Sequence, residues 1–398
     1  MTSFALIAGF EAVVRGMVLA VYPLLMYRSW GDAALVSKWY LGVGLISLCT
    51  ALMIPLLTRY MRRRWVYGAA LSLYLLSAGL GMWGGKAATL ALLSHSMAAA
   101  AAFVCFNAYV LEHVSKVDFA RLESLRMFYG GLGWTVGPLL GVWLLGFWSG
   151  APFVFVAMGT LGMLYMVWSM RLGEVRVHTL ASNRKPSRNP FIFLHRFFTQ
   201  PRLVAGWFFA VMRSCGWWIY FVYIGIFAVE NGMGEHVGGM ATSLANAGLF
   251  LAPLMLRWMQ RRSVRRAVRV GFLFSASCFI LATLSSQWPW STVALLIVGS
   301  LFLVLLDVCA GLPFMMSVKP SQRTEMSAVY SSFRDVSGIM SPAMAWLVLQ
   351  YLPVAGVFAM GGMCLLAAWA VAGHLHPQLG VPGALRTRTV VHAQPDAS

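Results

Sequence analysis

Seven ionisable residues, Glu11, Arg15, His95, Arg213, Asp307, Arg334 and Asp335, stand inside stretches otherwise apolar enough to cross a bilayer. A charge at the centre of such a stretch costs about 2.5–3.5 kcal/mol on insertion scales, so it turns toward protein, a counter-charge or a water-filled path. Two kinds of chemistry are open to these groups. A guanidinium offers a planar fork of donors that grips an anion, and a carboxylate or imidazole shielded from water can exchange a proton near neutral pH. Arg15 and Arg213 are the candidates for anion binding, with Trp217 and Tyr220 as aromatic contacts for a substrate. Glu11, Asp307 and His95 are the candidates for proton exchange. Glu11 comes first, because it lies four residues before Arg15 and so shares a helix face with it.

Blander readings stand beside these. Glu11 and Arg15 would form an intrahelical pair that eases insertion. Arg213 would pair with Asp307 or Glu11 and only close the bundle, and His95 would be a packing residue. Asp307 with Arg334 and Asp335 reads as a charge cluster at an inner gate, or equally as static helix pairing.

The elements that must position these residues follow from the composition. The chain has 398 residues, 60% hydrophobic and only 11% charged, far from the roughly 25% charged average of soluble domains. It is expected to be an all-α integral membrane protein. Twelve apolar runs of spanning length are expected at about 3–26, 36–57, 65–83, 87–111, 127–148, 152–170, 203–228, 237–256, 268–286, 290–312, 328–349 and 353–373. The first is long enough to span and lacks a basic leader, so it is read as a retained helix. The expected organisation is an N-terminal six-helix half at 1–170, a basic, Pro-containing cytoplasmic loop at 171–202, a C-terminal six-helix half at 203–373 and a tail without fixed structure at 374–398.

With the N-terminus in the cytoplasm, twenty-four of the thirty Lys and Arg fall in inside loops. Three (Arg28, Lys38, Lys86) fall outside and three (Arg15, Arg213, Arg334) within spans. That bias places both termini inside a cell, or inner, membrane. It assigns the net charge of +18 to insertion and the anionic leaflet, not to nucleic acid.

The halves repeat. IPLLTRYMRR at 54–63 and APLMLRWMQR at 252–261 match at an offset of 198, which also carries Ala12-Val13-Val14-Arg15 onto Ala210-Val211-Met212-Arg213. Pseudo-symmetric halves are a transporter signature, and they would bring Arg15 and Arg213 to one depth on opposite walls. Phe209 occupies the position equivalent to Glu11, so Arg213 lacks that neighbour.

This organisation resembles the major facilitator superfamily. Gly133-Trp-Thr-Val-Gly137-Pro138-Leu-Leu-Gly141 in the fifth run is similar to the GxxxGPxxGG motif of the family's proton-driven exporters, with Val142 in place of the last Gly. Arg59, Arg62 and Arg63 remain from the loop motif GxxxDRxGRR, in which Ile54, Thr58 and Met61 stand for Gly, the acid and Gly. The resemblance implies that the first, fourth, seventh and tenth helices line a cavity, and five of the seven charged residues lie on them. It also implies gating and packing roles for Gly133, Gly137, Pro138, Gly141, Arg59, Arg62 and Arg63, beside the gating role that depth gives Arg334 and Asp335. The arginine pair resembles that of the family's organophosphate and phosphate exchangers.

No phosphate loop GxxxxGK[ST], HExxH, GxSxG or GxGxxG is present. The six cysteines lie in apolar runs without CxxC spacing, and His374-Leu-His376 is too sparse for a metal. Enzyme chemistry, a cofactor and a metal are therefore not expected. The expected function is a monomeric secondary active transporter that uses alternating access and H+ coupling to export or exchange a small organic anion or zwitterion. The alternatives are a multidrug/H+ antiporter for lipophilic cations and a transporter-like sensor or membrane scaffold.

Overall fold

The computed structural model describes residues 2–114, 116–170, 195–318 and 323–375. The apolar runs become helices because a backbone without water to bond must satisfy itself within each segment. Those of the first part are α1 (Thr2–Leu19), α2 (Val21–Trp30), α3 (Ala33–Tyr60), α4 (Arg63–Trp83), α5 (Ala87–His113), α6 (Lys116–Phe147) and α7 (Ala151–Ser169). They are followed by α8 (Pro201–Glu230), α9 (Glu235–Ala247), a 3-10 turn (Gly248–Leu251), α10 (Ala252–Arg262), α11 (Val264–Leu284), α12 (Pro289–Cys309), α13 (Leu312–Ser317), α14 (Arg323–Ser331), α15 (Phe333–Val348) and α16 (Val354–Ala372).

Eleven segments of the described residues are long and apolar enough to span a membrane. Three of them are assembled across a break: α1–α2, α9–α10 and α12–α13. Pro253 and Pro313 sit in the first turn after their breaks. There the missing N–H costs nothing, and the ring cannot continue the preceding helix. The eleventh expected run, 328–349, does not form one long helix. It divides at Ser332 into α14 and the 16-residue α15. Ser332 accepts a hydrogen bond from Trp207 Nε1 at 3.1 Å and donates to Val329 O at 2.7 Å. This moves Arg334 and Asp335, expected two turns into a helix, to the first turn of α15. Lys116, Arg121 and Arg126, expected in a loop, lie within α6, and Arg202 lies in α8.

The helix joins carry local signals. Gly31 ends α2 with φ 68° and donates to Tyr27 O, a left-handed cap that favours glycine. Asp32 then caps α3 by accepting from Ala34 N at 2.8 Å. Only 11% of the α3 span is buried, and Leu52, Met53 and Leu56 stand exposed on it, a surface that a bilayer would cover.

Packing divides the chain into two units. The first holds Met1–Pro186, Ile219–Ala247 and Gly338–Val357; the second holds Ser187–Trp218, Gly248–Ser337 and Phe358–Ser398. Neither coincides with a half of the sequence. In the first unit α1 lies on α6 at backbone distance. A Cβ at Gly16 would stand 2.3 Å from Gly133 O, one at Gly137 2.5 Å from Gly16 C, and one at Gly141 2.0 Å from Met17 O. The stripe Gly133–Gly137–Gly141 is thus the seat of α1, a small-xxx-small contact. The end of α8 and α9 join this unit through Ser37 Oγ to Tyr223 Oη at 2.6 Å and Leu139 N to Ser243 Oγ at 2.9 Å.

In the second unit α11 and α12 pack through Gly299, whose added Cβ would meet Cys278 and Phe279, while Ser275 donates to Gly299 O at 3.2 Å. Phe314 of α13 stacks on Tyr330 of α14 with centroids 4.0 Å apart.

Candidate functional site

In the first unit, Glu11 and Arg15 share a face of α1 next to the Ala12–Gly16–Met17 surface that rests on the glycine stripe of α6. Arg15 Nη1 is 3.5 Å from Glu11 Oε1, the outer limit of a hydrogen bond, and its guanidinium lies 5.5 Å from the Trp134 ring centroid. The Glu11 residue is 8% exposed, whereas the Arg15 side chain is 35% exposed. The weak contact and the open guanidinium leave the pair free to change partners, because a cation on an aromatic face contributes about 0.5–2 kcal/mol.

His95 of α5 is packed rather than open, with 7% of its surface exposed. Its ring meets Tyr74 at 4.9 Å and Tyr22 at 5.4 Å, both edge-on. Tyr22 is fixed in turn by Ser77 at 2.6 Å and Ala91 O at 3.3 Å. His95 Nδ1 is buried without a hydrogen-bond partner among the described residues. The geometry favours a packing role for the ring, so His95→Phe is expected to keep the pH dependence of transport. Uptake or efflux rates between pH 5.5 and 8.5 check this; a flattened profile would restore His95 to proton exchange.

In the second unit Arg213 of α8 meets Asp307 of α12. Nε and Oδ1 are 3.2 Å apart, with the side chains 14% and 30% exposed. The N–H is not aimed at the oxygen, so this is an electrostatic contact without hydrogen-bond alignment. Trp217, one turn further along α8, donates Nε1–H to Asp307 Oδ2 at 3.0 Å. The Arg213 guanidinium also lies 5.3 Å from the ring of Phe333. Ser337 Oγ donates to Ser214 Oγ at 2.7 Å, tying α15 to α8 beside the pair.

The structure therefore brings Arg213, Asp307 and Trp217 together, and separately Glu11 and Arg15. Asp307 meets Arg213, the pairing that the sequence offers as the blander reading of both residues. Tyr220, expected to touch substrate, is fully buried in the first unit and donates to Ala241 O at 2.8 Å, so in this conformation it packs helices. Of the loop arginines, Arg62 lies exposed at the start of α4 and Arg63 is 5.4 Å from the Tyr109 ring; the Arg59 side chain lies outside the described residues.

Several contacts were not legible. Trp134 under Arg15 sits inside the glycine motif, where spacing was read for packing alone. Phe333 had no charge or motif to mark it. Arg28 and Glu235 form a charge-paired bridge from α2 to α9, and Tyr27 donates to Glu230 at 3.0 Å beside it; their separation of 207 residues hides the pairing. This bridge is exposed, so its worth is about 1 kcal/mol or less. Glu235→Lys is expected to lower the melting temperature by a few degrees, and Arg28→Glu/Glu235→Lys to recover it. A double variant no better than the single one would mean that the pair contributes no coupling.

The arrangement of charged pairs inside long apolar helices is that of a membrane protein which handles solutes. The sequence model of the Major Facilitator Superfamily matches residues 4–342. The chain belongs to this superfamily. As a major facilitator it is a multi-pass membrane transporter with a small-molecule substrate, not an enzyme. The fold is also that of solved structures. The crystal structure of nucleoside transporter NupG aligns with a TM-score of 0.71 at 14% identity, covering 94% of this chain and 99% of that one. A POT family transporter, solved in complex with a thioalcohol conjugated peptide, aligns with a TM-score of 0.69 at 11% identity, covering 93% and 94%. Identities this low establish the fold alone. No curated protein sequence matches the chain.

Proposed function

We propose that this major facilitator is a proton-coupled secondary active transporter of a small organic anion or zwitterion, working by alternating access. The observation that carries the reading is the same in each packing unit: a membrane-embedded arginine held by one carboxylate contact beside a tryptophan, Arg15 with Glu11 and Trp134, Arg213 with Asp307 and Trp217. Each contact engages one nitrogen of a guanidinium with five N–H donors. A substrate carboxylate or phosphate can take the place of the acid with a better-aligned, bidentate contact. Protonating Glu11 or Asp307 releases its arginine, which couples proton and anion at one group. In this scheme Arg15, Arg213 and Trp217 contact substrate, and Glu11 and Asp307 carry the proton.

The proposed topology is two six-helix halves, 1–170 and 203–373, with α14–α15 completing a twelfth crossing, the segment 171–202 between the halves and both termini in the cytoplasm. It is supported by the repeat at offset 198 and by the basic loops. Most of the central segment and the tail from residue 376 lie outside the described residues. The glycine stripe of α6 is similar to that of the family's exporters, whereas a scheme in which protonation frees the arginine for the anion moves proton and anion in one direction; flux measured with and without an imposed proton gradient decides between them.

The test is thermal stabilisation of the purified protein by organic anions, zwitterions and lipophilic cations at several pH values. Stabilisation by anions that is lost in Arg213→Gln supports the reading. Stabilisation by cations alone would replace it with a multidrug/H+ antiporter, and no stabilisation or flux with any class would favour a sensor.

A further inference from the structure

We propose that the turn between α10 and α11 holds a phosphoryl-binding site, occupied by the headgroup of an anionic membrane phospholipid. The inference is independent of the transported solute. A cavity of about 570 Å³ opens in the second unit. Its lining includes Arg262, Ser263, Arg265, Arg266, Arg269 and Trp369. Four arginines thus line one concavity, while residues 252–284 and 358–375 contain no Asp or Glu. Like charges brought together without a counter-ion repel, and an anion between them turns that repulsion into attraction. A phosphate diester fits the donors, because arginine offers bidentate N–H pairs matched to phosphate oxygens.

The site is built, unlike a scatter of surface arginines. Arg265 Nη2 donates to Gly373 O at 2.6 Å, and the Arg269 guanidinium lies 5.2 Å from the Trp369 ring. Both heads are thereby positioned before any ligand arrives, which lowers the ordering cost of binding. The buried Nε groups of Arg265 and Arg269 have no hydrogen-bond partner among the described residues. Ser263 adds the start of α11: its Oγ accepts from Arg266 N at 3.2 Å, so the positive end of a 21-residue helix adds to the field of the arginines.

Depth selects the source of the phosphoryl group. Ser263 is the single residue between the candidate spans Glu235–Arg262 and Val264–Leu284, and Trp369 lies one turn before the end of the span Val354–Ala372. The cavity therefore sits where helices leave the hydrocarbon, at headgroup level, and a tryptophan there is the usual interfacial anchor. Basic pockets between membrane helices are a recognised setting for acidic lipid headgroups.

The experiment uses the full-length protein in dodecyl maltoside micelles. Its melting temperature is followed as dioleoylphosphatidylglycerol, dioleoylphosphatidylcholine or sodium phosphate is added at matched ionic strength. Arg262 and Arg266 are the residues to change, since both are exposed and, unlike Arg265 and Arg269, tie no helices together. With a contribution of about 1 kcal/mol for each arginine near an acidic lipid surface, Arg266→Gln is expected to raise the half-saturating phosphatidylglycerol about fivefold and Arg262→Gln/Arg266→Gln about twentyfold or more. Arg257→Gln/Arg261→Gln removes the same charge from α10 outside the cavity and is expected to shift it about twofold or less.

Equal losses in the two double variants would reduce the effect to diffuse charge and overturn the site. The same stabilisation by phosphatidylcholine would overturn the anionic headgroup, and by phosphate alone the membrane source. Should the double variant not purify, an unchanged requirement in Arg266→Gln would overturn the proposal by itself.

Discussion

Asp307→Ala is expected to lower stability by about 2–3 kcal/mol and to reduce the purified yield, while the double variant Arg213→Gln/Asp307→Asn purifies near wild-type yield and fails to transport. Removing the carboxylate strands Arg213, whose side chain is 14% exposed, as a membrane-embedded cation. Breaking a buried pair costs about 3–5 kcal/mol. The 30% exposure of Asp307 lets water reach the site and brings the expected loss nearer 2–3 kcal/mol, on a scale where a whole domain is held by about 5–15. Neutralising both partners removes the stranded charge and leaves two amides that can bond each other. A static ion pair predicts recovery of transport along with stability; a substrate-binding arginine predicts recovery of stability alone. Size-exclusion yield and melting temperature read the first quantity, and solute flux in proteoliposomes the second. Wild-type stability in Asp307→Ala would show that water or lipid headgroups already satisfy Arg213.

The second large effect lies in the first unit. Gly137→Ala is expected to lower stability by about 2 kcal/mol or more, since overpacking a closed contact costs roughly 1–3 kcal/mol. Its new Cβ would stand 2.5 Å from Gly16 C and 2.7 Å from Met17 N, and both are backbone atoms of α1 that can move only with the helix. Gly130→Ala, on the same helix with nothing within 4 Å of an added Cβ, is the control. It is expected to be neutral or to gain about 0.5–1 kcal/mol from helix propensity. The comparison isolates the contact from the chemistry of the substitution. Melting curves of the two variants decide it, and equal values would mean that α1 is not seated on the stripe. Because α1 carries Glu11 and Arg15, Gly137→Ala should also displace the charged pair and reduce transport in whatever protein still folds.

How much of this was legible follows from the range of each interaction. Eleven of the expected runs reappear as candidate spans, since hydrocarbon leaves the backbone no other partner and the signal is written within about twenty consecutive residues. The run 328–349 is divided by a contact that is not local: Ser332, at the break, accepts a hydrogen bond from Trp207, 125 residues away. The glycine spacing points to close packing but names no partner; that α1 lies against it appears only in three dimensions.

The sequence by itself determined that the chain is helical, that it belongs in a membrane, and that Glu11, Arg15, Arg213 and Asp307 are its out-of-place charges. Those conclusions rest on transfer energies that each residue carries wherever it lies. The pairs Glu11–Arg15 and Arg213–Asp307 and a packing His95 stood among the alternatives the sequence offers; the tertiary structure decided between them and added Trp217 beside Asp307, two tyrosines around His95 and a backbone carbonyl for Tyr220. The pair four residues apart on α1 is written in the helical period; pairing between helices depends on distances of a few ångströms between segments up to two hundred residues apart, and no periodicity in the chain records it.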